Sequence, residues 1–362
     1  MPDVTVLMSL FNSQRHLRAA VDSILAQTYR DFELLIVDDG STDRSVEIAR
    51  SYVDSRIRIA VNERNLGLGA SLNRGLAAAR AALIARQDSD DVSQPDRLER
   101  QVAVMARRPE LALLGSQANA IDETGRPLKP VDRPIDENSI RWYGLFDNPF
   151  IHTSVMFRRA AVWNDRLRGY PELAYAEDYA LWSRLIRQHP VANLRERLVT
   201  FRVHASSKME LLEEVPVEDA RVVGFREIVR TLVRDNVASA FDGHVSSDDA
   251  ALMADFVLGV PQEELGRFLG RFTDLLARYV ARPEFRWTAD FGRTLARQVD
   301  AIACRVRPAR RRSAARVYAN AVRIEPTLLW HVSWLRAAAL VLFGPEGRTW
   351  FNSLRRYSRL PA

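Results

Sequence analysis

Short apolar runs alternate with amphipathic segments along the first hundred residues. The runs are rich in branched side chains and have the length of buried strands, and the segments between them carry apolar residues at helical spacing. Strands that alternate with helices indicate crossover connections and a mainly parallel sheet flanked by helices, the α/β class. The predicted strands are 4–10, 32–37, 56–61 and 81–86, and the clearest predicted helices are 17–25 and 70–81.

Beyond residue 86 the pattern predicts a helix over 95–105, a strand over 111–115, a strand over 148–159 and a strand over 198–202. Glu177 and Asp178 open an amphipathic helix. From about residue 215 the strand signal disappears and long Arg-rich helical segments follow. The chain therefore divides into an α/β domain over 1–210 and an α-helical, Arg-rich region over 211–362.

Polar, loop-forming residues follow three of the predicted parallel strands, at 9–12, 38–43 and 88–91. Parallel strands end at one edge of their sheet, so these loops can converge on one ligand. Asp88, Asp90 and Asp91 repel one another unless a positive charge lies among them, and a hard divalent cation is the usual partner. The alternative is a solvated acidic turn in which Asp91 caps a helix. No dinucleotide-type or Walker-type glycine loop is present, so a metal or arginine must neutralise any phosphate.

Charge is unevenly spread. The net charge is +6, but residues 283–362 hold 15 Arg against 5 acidic residues. Such a tail suits a phosphate-bearing partner such as an anionic membrane, and it equally suits solvated helix faces or an oligomer contact. No nucleic-acid module accompanies the arginines, so nucleic acid is not an expected partner. A single Cys, no signal-peptide pattern and no apolar run of membrane-spanning length predict a cytoplasmic protein.

Seven segments in order carry a family resemblance over roughly residues 3–208. They are SLFN (9–12), VDDGSTD (37–43), NERNLGLGASLNRGL (62–76), RQDSDDVSQPDRL (86–98), IHTSVMFRR (151–159), AEDYALW (176–182) and FRVH (201–204). Together they resemble the inverting family 2 glycosyltransferases, which have the GT-A fold. The resemblance implies a metal-dependent transfer of sugar from a UDP-, GDP- or dTDP-linked donor to a hydroxyl of a glycan or lipid-linked acceptor, in cell-surface polysaccharide biosynthesis.

The resemblance also assigns roles to residues. Asp178 would be the general base, with Glu177 supporting it. The nucleotide would contact Ser9, Phe11, Asp39, Arg64 and Asp88. Mg²⁺ or Mn²⁺ would be held by Asp90 with Asp88 and His204, and the acceptor would meet His152 and Arg202.

Two other functions remain open at this point. A sugar nucleotidyltransferase also uses carboxylate-bound metal on a similar sheet, but the amino-terminal region lacks a triphosphate loop rich in Gly, Lys and Arg. A non-catalytic protein that binds nucleotide sugars or docks on membranes through its basic tail is the second alternative.

Overall fold

The computed structural model describes residues 1–203, 219–241, 245–258 and 265–305. Its first four strands are parallel, with β1 between β2 and β4 and with β3 beyond β2. These strands are β1 (Val4–Leu10), β2 (Phe32–Asp38), β3 (Ile57–Val61) and β4 (Leu83–Asp88). The helices between them are α1 (Leu17–Leu25), α2 (Ser45–Arg50) and α3 (Leu68–Ala78).

Five later strands extend this sheet. They are β5 (Val92–Ser93), β6 (Leu113–Ile121), β7 (Pro127–Val131), β8 (Met156–Arg158) and β9 (Val191–Arg202). The strand order is β3-β2-β1-β4-β8-β6-β9-β5, with β7 paired to β6. β8 runs antiparallel to both neighbours, whereas β6 and β9 form a long parallel pair. The α/β prediction with a mixed, mainly parallel sheet is confirmed.

Both faces of the sheet are buried, which explains the uninterrupted apolar runs of β1 and β2. Val6 and Met8 of β1 pack into one apolar cluster with α1. Leu7 points into the opposite cluster, where it meets Leu72 and Leu76 of α3. Successive side chains of a strand point to opposite faces of the sheet, so β1 contributes residues to both apolar clusters.

Four helices complete the α/β part: α4 (Arg97–Arg107), α5 (Glu137–Tyr143), α6 (Arg159–Val162) and α7 (Glu177–Gln188). The predicted strand over 148–159 is wrong. A 3₁₀ turn occupies His152–Ser154, and only β8 is extended. Pro149 has no N–H for a ladder, and Ser154 directs both its N–H and its hydroxyl to the Ile151 carbonyl at 2.8 Å, which favours a turn.

The predicted helical extension is confirmed. It contains α8 (Ala220–Ala240), α9 (Ser247–Leu258), α10 (Leu265–Val280) and α11 (Ala289–Arg305). The chain forms two compact units, one of residues 1–140 with 148–228 and one of 141–147 with residues from 229 onward. The predicted boundary at 210 and the part of the predicted helical region over 306–362 lie outside the described residues.

An aromatic cluster forms the core of the second unit. The Trp142 ring lies edge-on to Phe272 at 5.6 Å, and its indole Nε1 donates to Oε1 of Gln298 at 2.7 Å. Because the buried indole finds an acceptor, it adds apolar area without leaving an unpaired N–H. None of the described helices is both long and apolar enough to cross a bilayer.

Candidate active site

Three loops meet at the carboxyl edge of the parallel strands. In the register of the sheet, Ser9 lies opposite Val37 of β2 on one side and Asp88 of β4 on the other. The loops are bonded to each other: the Asn12 N–H donates to Ser41 Oγ at 3.0 Å, and the Ser13 and Ser89 hydroxyls are 2.7 Å apart. The edge beside β1, where the strand order reverses, is where open α/β sheets bind ligands.

Asp39 organises the loop that follows β3. It is 3% exposed, and its Oδ1 accepts from Asn62 Nδ2 and the Leu66 N–H, each at 2.8 Å. Its Oδ2 accepts the Gly67 N–H at 2.9 Å. Gly40 next to it has φ +74°, and a Cβ there would lie 2.6 Å from the Arg64 carbonyl carbon, so only glycine fits. Asp39 therefore holds the loop after β3 next to the end of β2.

Two apolar side chains stand exposed at this edge. Phe11, after β1, and Leu66, after β3, are each 46% exposed. Large apolar groups left in water beside a polar loop cluster are typical of a ligand contact. Arg64 lies exposed in the same loop as Leu66.

The acidic loop after β4 is buried rather than solvated. Asp91 is 1% exposed, and burial, then the charges of Asp90 and Asp88, raises its pKa well above the ordinary value. Its Oδ1 accepts the Arg202 N–H at 2.8 Å. The helix-cap alternative for Asp91 is wrong, because α4 begins at Arg97.

Arg202 contacts the acidic loop through its backbone and its side chain. Its guanidinium Nε donates to the Asp90 carbonyl at 3.1 Å, and Nη1 lies 3.4 Å from the Asp122 carbonyl. Arg202 thus ties β9 to the acidic loop. His204 lies outside the described residues.

Two fully buried arginines lie behind the acidic loop, and the sequence analysis missed both. Arg86 pairs with Asp88. Arg97 donates to Gln87 Oε1 at 2.9 Å and to the Arg86 carbonyl at 2.7 Å, and burial, reinforced by the Arg86 charge, lowers its pKa to about 9. The sequence did hold a signal for Arg86, because an arginine within the apolar run of β4 requires a buried partner for its charge.

Asp178 is the second residue of α7, and the residue before that helix, Ala176, has a left-handed backbone (φ +55°). Its Oδ2 accepts from Asn148 Nδ2 at 2.7 Å, and its Oδ1 accepts the Tyr179 N–H at 2.7 Å. Burial and then the charge of Glu177 raise the pKa of Asp178 to about 7, and Asp88 adds to the rise. The α7 amino terminus and the acidic loop therefore lie within each other's field.

A histidine–tyrosine contact lies in the same region. Tyr170 is 3% exposed, and its hydroxyl is 3.0 Å from Nε2 of His152. Burial raises the pKa of Tyr170, and the charges of Asp178, Glu177 and Asp88 all reach it. Thr153, next to His152, accepts the Asp88 N–H at 3.1 Å. The 3₁₀ turn thus links the acidic loop to the neighbourhood of Asp178.

A metal ion at this edge would need oxygen ligands from a bound substrate as well as from the protein. Within 1–203, 219–241, 245–258 and 265–305, no group of three His, Cys, Asp or Glu side chains is arranged to hold a metal ion. Magnesium is commonly bound by one or two carboxylates plus substrate phosphates. Asp88, 28% exposed, and Asp90 in the same loop offer oxygen ligands of that kind. Burial and then the charges of Asp90 and Asp88 raise the pKa of Asp91, and a cation bound at this loop would favour the ionised form.

The chain is similar to several bacterial glycosyltransferases. The family model described as "Glycosyl transferase family 2" matches residues 5–165. The amylovoran biosynthesis glycosyltransferase AmsE of Erwinia amylovora is 35% identical over 57% of this chain and 77% of its own length. The O-antigen biosynthesis glycosyltransferase WbnJ of Escherichia coli is 34% identical over 56% and 81%.

A solved structure supports the fold. S. aureus TarS 1–349, in complex with UDP-GlcNAc, superposes with a TM-score of 0.54 at 18% identity, covering 91% of this chain and 92% of TarS. The mixed sheet with flanking helices and a helical extension is thus of the GT-A type. With relatives above 30% identity along most of their own length, the chain belongs to glycosyl transferase family 2.

Proposed function

We propose that this enzyme is a metal-dependent inverting glycosyltransferase. It takes a sugar from a nucleotide-diphosphate donor and adds it to a hydroxyl of a glycan or lipid-linked acceptor. The observation that carries the proposal is Asp178, a carboxylate whose pKa is raised to about 7 and which lies in the field of the acidic loop. A base for the acceptor and a site for the departing diphosphate then stand close together.

The nucleotide lies at the carboxyl edge of β1, β2 and β4 in this proposal. Phe11 stacks on the base, Ser9 and Asp39 flank it, and Arg64 meets the phosphates. The exposure of Phe11 supports this placement, and so does the anchoring of the Arg64 loop by Asp39. TarS, which shares the fold, was solved with a sugar nucleotide.

Asp90 and Asp88, with His204, would hold Mg²⁺ or Mn²⁺, whose charge would offset that of the leaving diphosphate. Asp178 takes the proton of the acceptor hydroxyl while the oxygen of that hydroxyl bonds to the anomeric carbon. The bond from the anomeric carbon to the diphosphate oxygen breaks in the same step. Glu177 keeps Asp178 basic through its charge. One displacement inverts the anomeric centre, and no nucleophilic carboxylate is needed, unlike in retaining glycosidases.

The acceptor belongs to a cell-surface polysaccharide in this proposal. Relatives named for amylovoran and O-antigen biosynthesis support that class of product. His152 and Arg202 are the proposed acceptor contacts. His152 suits the role because it is partly exposed and lies in the turn beside the acidic loop.

A donor screen tests the proposal. UDP-, GDP- and dTDP-sugars are added with Mn²⁺ or with EDTA, and the thermal midpoint of the protein is followed. One nucleotide class should raise the midpoint with Mn²⁺ only, since a ligand at 100 times its Kd adds about 2.7 kcal/mol. NMR of the product should show an inverted anomeric centre. A retained centre, or an equal rise in EDTA, would contradict the mechanism, and pyrophosphate release from a nucleoside triphosphate and a sugar phosphate would favour a nucleotidyltransferase.

A further inference from the structure

Asn148 holds the carboxylate of Asp178 through a directed hydrogen bond. Its amide Nδ2 lies 2.7 Å from Asp178 Oδ2, although the two residues are 30 positions apart. Its amide Oδ1 accepts the Phe150 N–H at 3.1 Å. Because the oxygen side is engaged by its own loop, the nitrogen side is the one presented to Asp178. The bond thus has a fixed donor and a fixed acceptor.

The loop that carries Asn148 is itself anchored. Asn193 of β9 is 3% exposed, and its Nδ2 donates to the Pro149 carbonyl at 2.9 Å and to the Pro134 carbonyl at 2.6 Å. Gly115 of β6 leaves the space for this side chain, because a Cβ there would overlap Asn193 Oδ1. The position of Asn148 is therefore set by the sheet.

The surroundings of Asp178 are otherwise dominated by acidic groups. Glu177 of the same helix and Asp88 at the end of β4 both disfavour its ionised form, and the buried Tyr170 lies within its field. Asn148 and the Tyr179 N–H favour the ionised form. An amide donor stabilises the carboxylate without adding charge.

We infer that Asn148 is a positioning residue for the transfer step, one that fixes the orientation of Asp178 and keeps it ionised and able to accept the acceptor's proton. This inference rests on the proposed role of Asp178 as the general base. Asn148 itself touches neither donor nor acceptor in this account. Substitution of Asn148 should therefore lower kcat and leave donor affinity unchanged.

Two substitutions separate this role from a merely structural one. Asn148→Asp keeps the shape and can still accept the Phe150 N–H, but it replaces the donor with a second carboxylate. Asn148→Ala removes both bonds. A purely structural role in the loop predicts that Asp is tolerated better than Ala. The positioning role predicts the reverse order, because like charge disfavours ionised Asp178 more than loss of the donor does.

The experiment measures kcat against pH at saturating donor and acceptor for the wild type and both variants, together with donor Kd and thermal midpoint. We expect kcat at pH 7 to fall roughly tenfold in Asn148→Ala and further in Asn148→Asp, as is usual for loss of a hydrogen bond to a charged group. The acidic limb of the profile should move up by about one pH unit. Donor Kd should stay within about twofold.

The outcomes distinguish this inference from the proposed function. Equal profiles for all three proteins, or higher turnover in Asn148→Asp than in Asn148→Ala, would overturn the role of Asn148. If the wild type transfers no sugar, or if Asp178→Asn turns over normally, the proposed function or its base fails instead. Asn164→Ala, which removes an exposed loop amide, is the control and should leave the profile unchanged.

Discussion

Asp178 combines partial exposure with a pKa near neutrality. Its ordinary pKa is 3.8 and its folded value is about 7, so between these pH values the unfolded chain releases a proton that the folded chain keeps. The carboxylate therefore destabilises the fold as pH rises, and the full cost is reached above pH 7. Burial and then the charge of Glu177 are the main sources of this cost.

Asp178→Asn removes this cost. The thermal midpoint of Asp178→Asn minus that of the wild type should therefore increase between about pH 4 and pH 7 and level off above pH 7. Scanning calorimetry over this range measures it. A difference independent of pH would mean that the pKa of Asp178 is not raised.

Asp39 and Phe11 are both proposed nucleotide contacts, but only Asp39 also stabilises the fold. Asp39 is buried and accepts three hydrogen bonds from the loop after β3, whereas Phe11 is exposed. Asp39→Ala should lower both nucleotide affinity and the thermal midpoint, because buried donors lose their partner. Phe11→Ala should weaken nucleotide binding by about 1–3 kcal/mol, the usual worth of base stacking, with little change in midpoint. Calorimetric titration and thermal unfolding of both variants test this, and an unchanged midpoint in Asp39→Ala would contradict it.

Residues that contact the backbone or a distant side chain were the ones missed. The aspartates of the strand ends were recognisable because their spacing along the chain is short. Asn148 acts through a contact made across the fold, its 2.7 Å bond to Asp178, and Arg97 reaches the backbone carbonyl of Arg86 in another element. No local pattern reports such a contact.

Among the elements, those with strong periodicity were predicted well. β1 and α1 lie where the sequence places them, at Val4–Leu10 and Leu17–Leu25, since each buries a complete apolar face. The two-residue β5 and the exposed β7 were missed because neither carries an apolar pattern. In β8 and the turn before it, an apolar segment was read as one strand, although Pro149 and Ser154 break the ladder.

Gly115 tests the anchoring of the loop before the 3₁₀ turn. Gly115→Ala should destabilise the protein by about 1–3 kcal/mol, because the new methyl overlaps the buried Asn193 side chain. Turnover should fall with it. The matched control is Gly224→Ala in α8, where nothing lies within 4 Å and alanine should stabilise the helix by up to about 1 kcal/mol. Chemical denaturation of both variants measures this, and equal effects would contradict the anchoring.

For the molecule as a whole, the class of fold was predictable, but the place of residues 141–147 was not. Residues 141–147 belong to the second unit although they lie far from it in sequence. Trp142 explains this, because its indole packs against Phe272 and Phe291 of later helices. Hydrophobic periodicity reveals that a helix has an apolar face and not which partner covers it.

The Arg-rich tail gives a prediction for the intact chain. Residues 283–362 carry a net +10, so we expect the full-length protein to co-sediment with vesicles of anionic lipid and not with neutral ones. The binding should weaken when the salt concentration rises from about 0.1 M to 1 M, where the Debye length falls to about 3 Å. Equal sedimentation with neutral vesicles would reject an electrostatic contact, and solvated helix faces or an oligomer contact would then account for the arginines.

The role of Asp178 as the general base is tested by comparing Asp178→Asn with the wild type in two assays on the same preparation. One is donor binding by calorimetry with Mn²⁺, and the other is sugar transfer measured by release of nucleoside diphosphate in the presence of acceptor. The substitution should leave donor Kd within about twofold and reduce kcat by 10²-fold or more, the typical worth of a general base. Normal turnover in Asp178→Asn would show that Asp178 is not the general base.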